Sequence, residues 1–406
     1  MSDPAPQLLR HHRPFVAFWM ARVFTASGFQ MLTVAIGWHL YQLTGNVLDL
    51  GLVGLVEFAP RVLFMLHTGH VADRYDRRKV AALCQTLQAL IALALALGSA
   101  SGHVTRELIF VLAFLLGSAR SFEMPATQAL LPNVVPPGLF PRAVAASASA
   151  SQAATIVAPA IGGFLYAFGS TWVYGPTVVL YVIACVLTLG LDARQQLPQR
   201  GRASLDSLLA GIRFIRSRPD ILGAISLDLF AVLLGGATAL LPVFAKDILL
   251  TGAWGLGLLR SAPAVGALLM SLWLARFPVE RKVGLTMFTA VGVFGVATIA
   301  FGLSTSFWFS LAVLVVLGAA DMISMVIRSA FVQLETPDEM RGRVSAVNGL
   351  FIGASNQLGE FESGVTAHWF GTVPAVVLGG VGTLVVTGVW MKLFPTLAHR
   401  DRMHNG

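Results

Sequence analysis

Residues 69–80 read GHVADRYDRRKV and hold six charged side chains, Asp73, Arg74, Asp76, Arg77, Arg78 and Lys79, between two long apolar flanks. A polar stretch in that setting is the link between two membrane-spanning helices: each span needs about 20 mostly apolar residues, and the turn joining them lies in water. The whole chain agrees. Of its 406 residues 56% are hydrophobic and 12% charged, and its mean hydropathy is +0.74, whereas a soluble domain carries roughly a quarter of charged residues.

Outward from that link, twelve spans can be placed, at about residues 15–43, 47–68, 80–100, 106–131, 142–168, 172–190, 220–246, 253–275, 283–303, 307–331, 343–369 and 374–394. Lys and Arg set the orientation. With the N-terminus inside, twenty-one basic residues fall in inner segments against Arg106 and Lys246 outside, so the positive-inside rule puts both termini in the cytoplasm. The polar, basic first thirteen residues and the long apolar run behind them read as a mature N-terminus rather than a cleaved signal. The net charge of +8 is thereby a topology signal and excludes nothing-but-charge readings such as nucleic-acid binding. Cys84 and Cys185 sit in apolar runs and offer neither a disulfide framework nor a zinc spacing.

One long connection, residues 191–218, divides the spans six and six. The expected organisation is 1–190 as an N-terminal half, 191–218 as a cytoplasmic linker, 219–395 as a C-terminal half and 396–406 as a cytoplasmic tail. In the linker, Leu205, Leu208, Leu209, Ile212 and Ile215 share one helical face behind Ser204 as N-cap, and that face suits either the inner leaflet or a protein surface. The halves repeat: GLVEFAP (54–60) matches GLLRSAP (257–263), RRKV (77–80) matches ERKV (280–283), and GSAR (117–120) matches GAAD (318–321). Parallel repeats of six helices are a transporter architecture, with the substrate site near the midplane.

At this point the residues resemble a family. Gly69, Asp73, Arg74, Arg77 and Arg78 resemble the major facilitator superfamily signature between its second and third helices, with Asp76 at a glycine position where Asp tolerates a left-handed backbone. ATIVAPAIGG (154–163) resembles the fifth-helix motif of proton-driven exporters in that superfamily through Pro159, Gly162 and Gly163, with Ala154 and Ala158 replacing two glycines. Residues 337–364 and 43–60 look like the enterobactin-exporter branch, whose neighbours include macrolide efflux proteins, and the likeness runs over about 13–395. It implies an all-α membrane protein of twelve helices in two pseudo-symmetric halves, working by alternating access. The likeness places Asp73 near the start of the eleventh span; Arg77 is expected to pair with Glu123 or another acid low in the fourth, so that Gly69, Asp73, Arg74, Arg77 and Arg78 read as a conformational latch.

Eleven charges fall within spans: Arg22, Arg61, Arg120, Arg260, Arg328, Glu57, Glu123, Asp228, Asp321, Glu360 and Glu362. Each is costly in hydrocarbon unless paired or facing water, which makes them the functional candidates. Glu57 with Arg61 and Arg120 with Glu123 have helical spacing for local ion pairs. The superfamily lines its cavity with helices 1, 4, 7 and 10, which singles out Arg22, Arg120, Asp228 and Asp321. The arginines suit anionic oxygen; Asp228, with no cation three or four positions away, Asp321, Glu360 and Glu362 are the proton-coupling candidates. Glu57 and Arg260 occupy matched positions and are expected at the interface of the halves. Pro60 and Pro263 are expected to bend their spans, and Trp38, Trp172 and Trp369 to anchor at the outer interface.

The expected function is a proton-coupled exporter of a siderophore or similar amphiphilic solute, in the inner (plasma) membrane. Its partners are a small-molecule substrate, protons and the bilayer, without nucleic acid, as a monomer. No cofactor or metal is implied. The alternative is multidrug or macrolide efflux; nutrient uptake is disfavoured by the fifth-helix motif. A membrane enzyme would need a nucleophile with its base or a metal cluster, which the nine histidines do not compose, and no P-loop appears for ATP.

Overall fold

The computed structural model describes residues 9, 12–191 and 205–402, except the side chains of 66, 73 and 205–208. The side chain of Asp73, Ser204 as a cap, and the side chains of Leu205 and Leu208 therefore lie outside the described residues. The helices are α1 (Arg13–Thr44), α2 (Val47–Leu63), α3 (Met65–Arg74), α4 (Arg77–Ser101), α5 (Arg106–Val134), α6 (Phe140–Tyr166), α7 (Ser170–Leu189), α8 (Leu205–Ser217), α9 (Pro219–Leu234), α10 (Leu241–Val243), α11 (Gly252–Arg276), α12 (Val283–Gly302), α13 (Phe307–Leu334), α14 (Asp338–Phe370), α15 (Thr372–Leu393) and α16 (Pro395–Ala398).

Among the described residues, ten segments are long and apolar enough to cross a membrane. The second and eleventh spans fall short of that measure for two physical reasons. α2 has only 17 residues, because Phe64 leaves the helix before α3 resumes it. α14 runs for 33 residues but carries Arg341, Arg343, Glu360 and Glu362 on top of its amides. With them the protein is an all-α membrane protein of twelve spans in two sets of six. The seventh span is discontinuous: α9 stops at Gly235, and the chain continues through a 3-10 turn (Ala237–Leu240), α10 and a π-turn (Phe244–Ile248).

The chain forms two compact units, Met1–Leu43 with Val56–Ala203, and Thr44–Leu55 with Ser204–Gly406. In the first, α4 packs on α5 and α7, and α3 on α5. α1 and α6 are cross-linked by Trp19 to the Ala146 carbonyl, Arg22 to Ser151, Gln30 to Thr155 and Tyr166 to Gln42, with sequence separations of 127, 129, 125 and 124. A nearly constant separation means parallel helices, as the first and fifth of a series of spans must be. The small-residue face of α6 makes this possible: Ala154, Ala158, Pro159, Gly162 and Gly163 are buried, and a Cβ on Gly162 would lie 3.1 Å from the Met31 Cα.

In the second unit α12 packs on α13 and α15, and α11 on α13, the same scheme one repeat later. The match extends to single residues. A Cβ on Gly117 of α5 would strike the Glu57 carbonyl of α2, and one on Gly318 of α13, its repeat partner, would strike the Pro263 carbonyl of α11. Only glycine permits helices to cross that closely. The first part of α2 belongs to the second unit, where a Cβ on Gly51 would lie 3.1 Å from the Gly364 Cα of α14.

The inner ends of α4 and α12 show how the repeat diverges. Asp76 caps α4: its Oδ1 accepts the Arg78 backbone N–H at 3.0 Å, while Arg78 Nη1 donates to the carbonyl of Leu191, just beyond α7, at 2.7 Å. The matching position before α12 is Val279, which has no acceptor. There the chain beyond α15 supplies the acceptors: Asp401 Oδ1 takes the Lys282 N–H at 3.1 Å, and the carbonyls of Asp401 and Arg400 take those of Val283 and Gly284 at 3.3 and 3.0 Å. Arg400 itself pairs with Asp220 and Glu335 and lies over the Phe331 ring.

Several local expectations are corrected. Gly69 lies inside α3 with open space around it. Asp76 is not left-handed (φ −59°), because its side chain serves as an N-cap instead. Arg77 does not reach Glu123; it is buried and donates to the carbonyls of Ala72 and Ala129 at 3.0 and 3.1 Å, tying α3 to α5. Trp38 is buried at 5% exposure rather than in an interfacial belt, whereas Trp172 and Trp369 are exposed. The linker helix α8 takes the protein surface of its two options: Ile215 and Ile212 pack with Val344, Val347 and Ile221, and a Cβ on Gly211 would lie 2.9 Å from the Arg343 carbonyl.

Candidate functional site

The first unit holds a cavity of about 260 Å³ whose lining includes Arg22, Gln85, Arg120, Glu123, Phe18 and Met124. Glu123 is its anchor. At 2% exposure, its carboxylate accepts Gln88 Nε2 at 2.8 Å, Gln85 Nε2 at 3.3 Å and Arg120 Nη1 at 3.3 Å. A carboxylate taken out of water needs such donors, and three from two helices supply them. The expected Arg120–Glu123 pair is thus formed. Arg120 also lies over the Phe29 ring, 4.6 Å from its centroid, which holds the guanidinium between α5 and α1.

Arg22 faces the same cavity from α1. Its Nη2 donates to Ser151 Oγ at 3.1 Å, and its Nε is buried without a partner. Two guanidiniums against one carboxylate leave the cavity cationic, with donor capacity unspent at Arg22. The volume lies just under the ~300–1,000 Å³ of pockets that enclose a whole drug-sized ligand, so it suits one charged end of a larger molecule.

In the second unit the charges are mostly acidic. The isolation expected for Asp228 does not hold: Arg328 of α13 reaches across to α9 and pairs with it, both side chains being nearly inaccessible at 3% and 9%. Seven residues along α13 from Arg328, Asp321 makes no ion pair or hydrogen bond among the described residues, is half-buried, and lies close enough to Asp228 and Arg328 to interact with both electrostatically. Glu360 of α14 accepts Thr238 Oγ1 at 3.4 Å at the break in the seventh span, and Arg260 acts on it electrostatically. α14 comes close there because it is bare: a Cβ on Gly359 would lie 2.8 Å from the Val232 carbonyl. Glu362 turns elsewhere and accepts Thr366 Oγ1 of its own helix at 2.6 Å.

Sequence reading missed Gln85 and Gln88, although two amides three residues apart in an apolar span were a visible signal. It also missed Arg328 as the partner of Asp228, for which no local spacing exists. Of the signature residues, Arg77 and Arg78 are tied to backbone carbonyls within the first unit and Arg74 is exposed. Glu57 and Arg260 each lie within their own unit.

Repeated halves of membrane-spanning helices, a broken seventh span and charges gathered inside the spans are the make-up of a transporter of small molecules. The chain belongs to the Major Facilitator Superfamily, whose family model matches residues 18–359. Among curated proteins it is similar to the enterobactin exporter EntS of Escherichia coli O1:K1 / APEC, 26% identical over 380 residues that cover 93% of this chain and 87% of that one. A relative of the same name from Shigella boydii serotype 18 is 26% identical over 386 residues, with the same coverage. Among solved structures, a POT family transporter in complex with 5-aminolevulinic acid superposes with a TM-score of 0.74 at 13% identity, covering 97% of this chain and 98% of that one. The nucleoside transporter NupG superposes with a TM-score of 0.67 at 18% identity, covering 94% and 99%. These last two bear on the fold alone.

Proposed function

We propose that this transporter exports an amphiphilic organic solute bearing anionic oxygens, of the siderophore class, in exchange for protons across the inner membrane. One observation carries the reading: the cationic cavity in the first unit, where Arg22 holds a buried, unpartnered Nε beside Arg120. A guanidinium binds carboxylate or catecholate oxygen through paired donors, and Phe18 and Met124 accept the adjoining apolar body. Outward direction is supported by the curated relatives named as exporters and by the Pro159, Gly162 and Gly163 motif, which packs α6 against α1.

Coupling is assigned to the second unit. Asp321 is the acid that takes the proton, and the Asp228–Arg328 pair sets the local field it titrates in; Glu360 and Glu362 are hydrogen-bonded and stand behind it. The segment around Asp73, at the end of α3, acts as the latch, Glu57 and Arg260 support the exchange between the two halves, and the protein works as a monomer with both termini in the cytoplasm.

Proteoliposomes test this reading. With an imposed pH gradient, a catecholate siderophore is expected to accumulate uphill; Arg22→Ala is expected to weaken its binding, and Asp321→Asn to retain binding and exchange while losing the uphill component. Accumulation of a macrolide but not of the catecholate would replace siderophore export by drug efflux. Gradient-independent movement by the wild-type protein would sink proton coupling.

A further inference from the structure

The outer surface of the second unit carries a groove of about 350 Å³ between α11, α12 and α13, lined by Met270, Leu285, Val293, Val316 and Ile323 and closed at its inner end by Lys282. From Lys282 to Val293 the groove follows eleven residues of helix, or about 16 Å at the helical rise. Half of a ~30 Å hydrocarbon core is about 15 Å, so the groove is one leaflet long. Leu285, Val293 and Val316 are exposed along it, and its threonines are spent on their own helix, Thr286 on the Lys282 carbonyl and Thr289 on that of Leu285. The groove is thus apolar along its length and polar at one end only.

That end is basic and unusually built. Arg276, Arg281 and Lys282 are all exposed there, against two acids, Glu280 in the same turn and Asp401, whose Oδ1 accepts the Lys282 N–H at 3.1 Å. Lys282 is one of two non-glycine residues among those described with positive φ, at +52°, a conformation that side-chain-bearing residues adopt at a cost. Its repeat partner Lys79 lies in ordinary helix. Where Val279 offers no cap, the tail residue Asp401 accepts the Lys282 N–H, and the lysine lines the mouth of the groove.

We infer that this groove is a binding site for one anionic phospholipid of the inner leaflet, its acyl chain along α12 and its headgroup phosphate on Lys282, with Arg276 and Arg281 beside it. Charge complementarity at one end and leaflet length along the other select such a lipid over a zwitterionic one, because each basic side chain near the surface attracts an anionic headgroup independently of the acyl contact.

The full-length protein, equilibrated in vesicles of mixed phosphatidylglycerol and phosphatidylcholine and released gently for native mass spectrometry, tests the inference through the lipid it retains. Phosphatidylglycerol is expected to be enriched in the tightly held fraction. Lys282→Asn, which tolerates the left-handed backbone, is expected to lower that enrichment about fivefold, and Lys282→Arg to keep it. Thr289→Trp, which fills the groove from an exposed position, is expected to remove held lipid of both kinds. Equal retention of the two lipids by the wild type overturns the inference, as does wild-type retention by Lys282→Asn or Thr289→Trp. If Lys282→Asn does not fold, Lys282→Gly, which removes the charge and relaxes the backbone, gives the same reading.

Discussion

Replacing Asp228 by asparagine removes one partner of an ion pair whose side chains are 3% and 9% exposed. At an ordinary separation of ~4 Å and an effective dielectric constant of ~20, the attraction between two unit charges is about 4 kcal/mol. Mutational experience with buried pairs gives a similar size, about 3–5 kcal/mol for deleting one partner, because the other charge stays buried and uncompensated. Arg328 cannot escape to water, since its Nε is already buried without a hydrogen bond. Asp228→Asn should therefore cost about 3–5 kcal/mol, and Arg328→Gln a similar amount. The double variant Asp228→Asn/Arg328→Gln should cost much less than their sum, as it strands no charge. Unfolding of the purified protein in detergent, followed across the full double-mutant cycle, measures the coupling directly. Additive costs, with a coupling under about 0.5 kcal/mol, would refute the pair as a structural unit and return Asp228 to the status of a lone acid.

Three further outcomes follow from other contacts. Gly117→Ala and Gly318→Ala each place a methyl group on a neighbouring helix's carbonyl, so both should lose about 1–3 kcal/mol of stability; a neutral effect at either position, read by thermal unfolding, would break the proposed equivalence of the two crossings. Arg400→Ala should free the tail from Asp220 and Glu335, costing about 1.5–3 kcal/mol and exposing residues 394–402 to limited proteolysis; protection equal to wild type would show the tail is held without it. Asp73→Asn, which keeps the volume of the side chain, should change the two-sided accessibility of introduced cysteines without impairing insertion; an unchanged pattern with unchanged transport would leave the loop no role beyond solubility.

The spans, their count and the doubling of the chain were legible in the sequence, since hydropathy and repeat matching depend on residue type and spacing alone. So was the Arg120–Glu123 pair, because an i,i+3 spacing on a helix brings side chains together whatever surrounds it. The same local logic failed for Asp228, whose partner lies one hundred residues away on another helix, and for Arg77, whose partners are backbone carbonyls of Ala72 and Ala129 that no pattern of side chains announces. It failed again for Gln85 and Gln88, whose importance comes from the single carboxylate they both reach. In a membrane protein the sequence by itself determines which segments enter the bilayer, because transfer from water is a property of each segment. Which buried charge meets which donor is decided by helix packing: inside the bilayer a charge takes whatever partner the crossing of two helices delivers, and that crossing is set by close approaches such as Gly117 on Glu57 and Gly318 on Pro263.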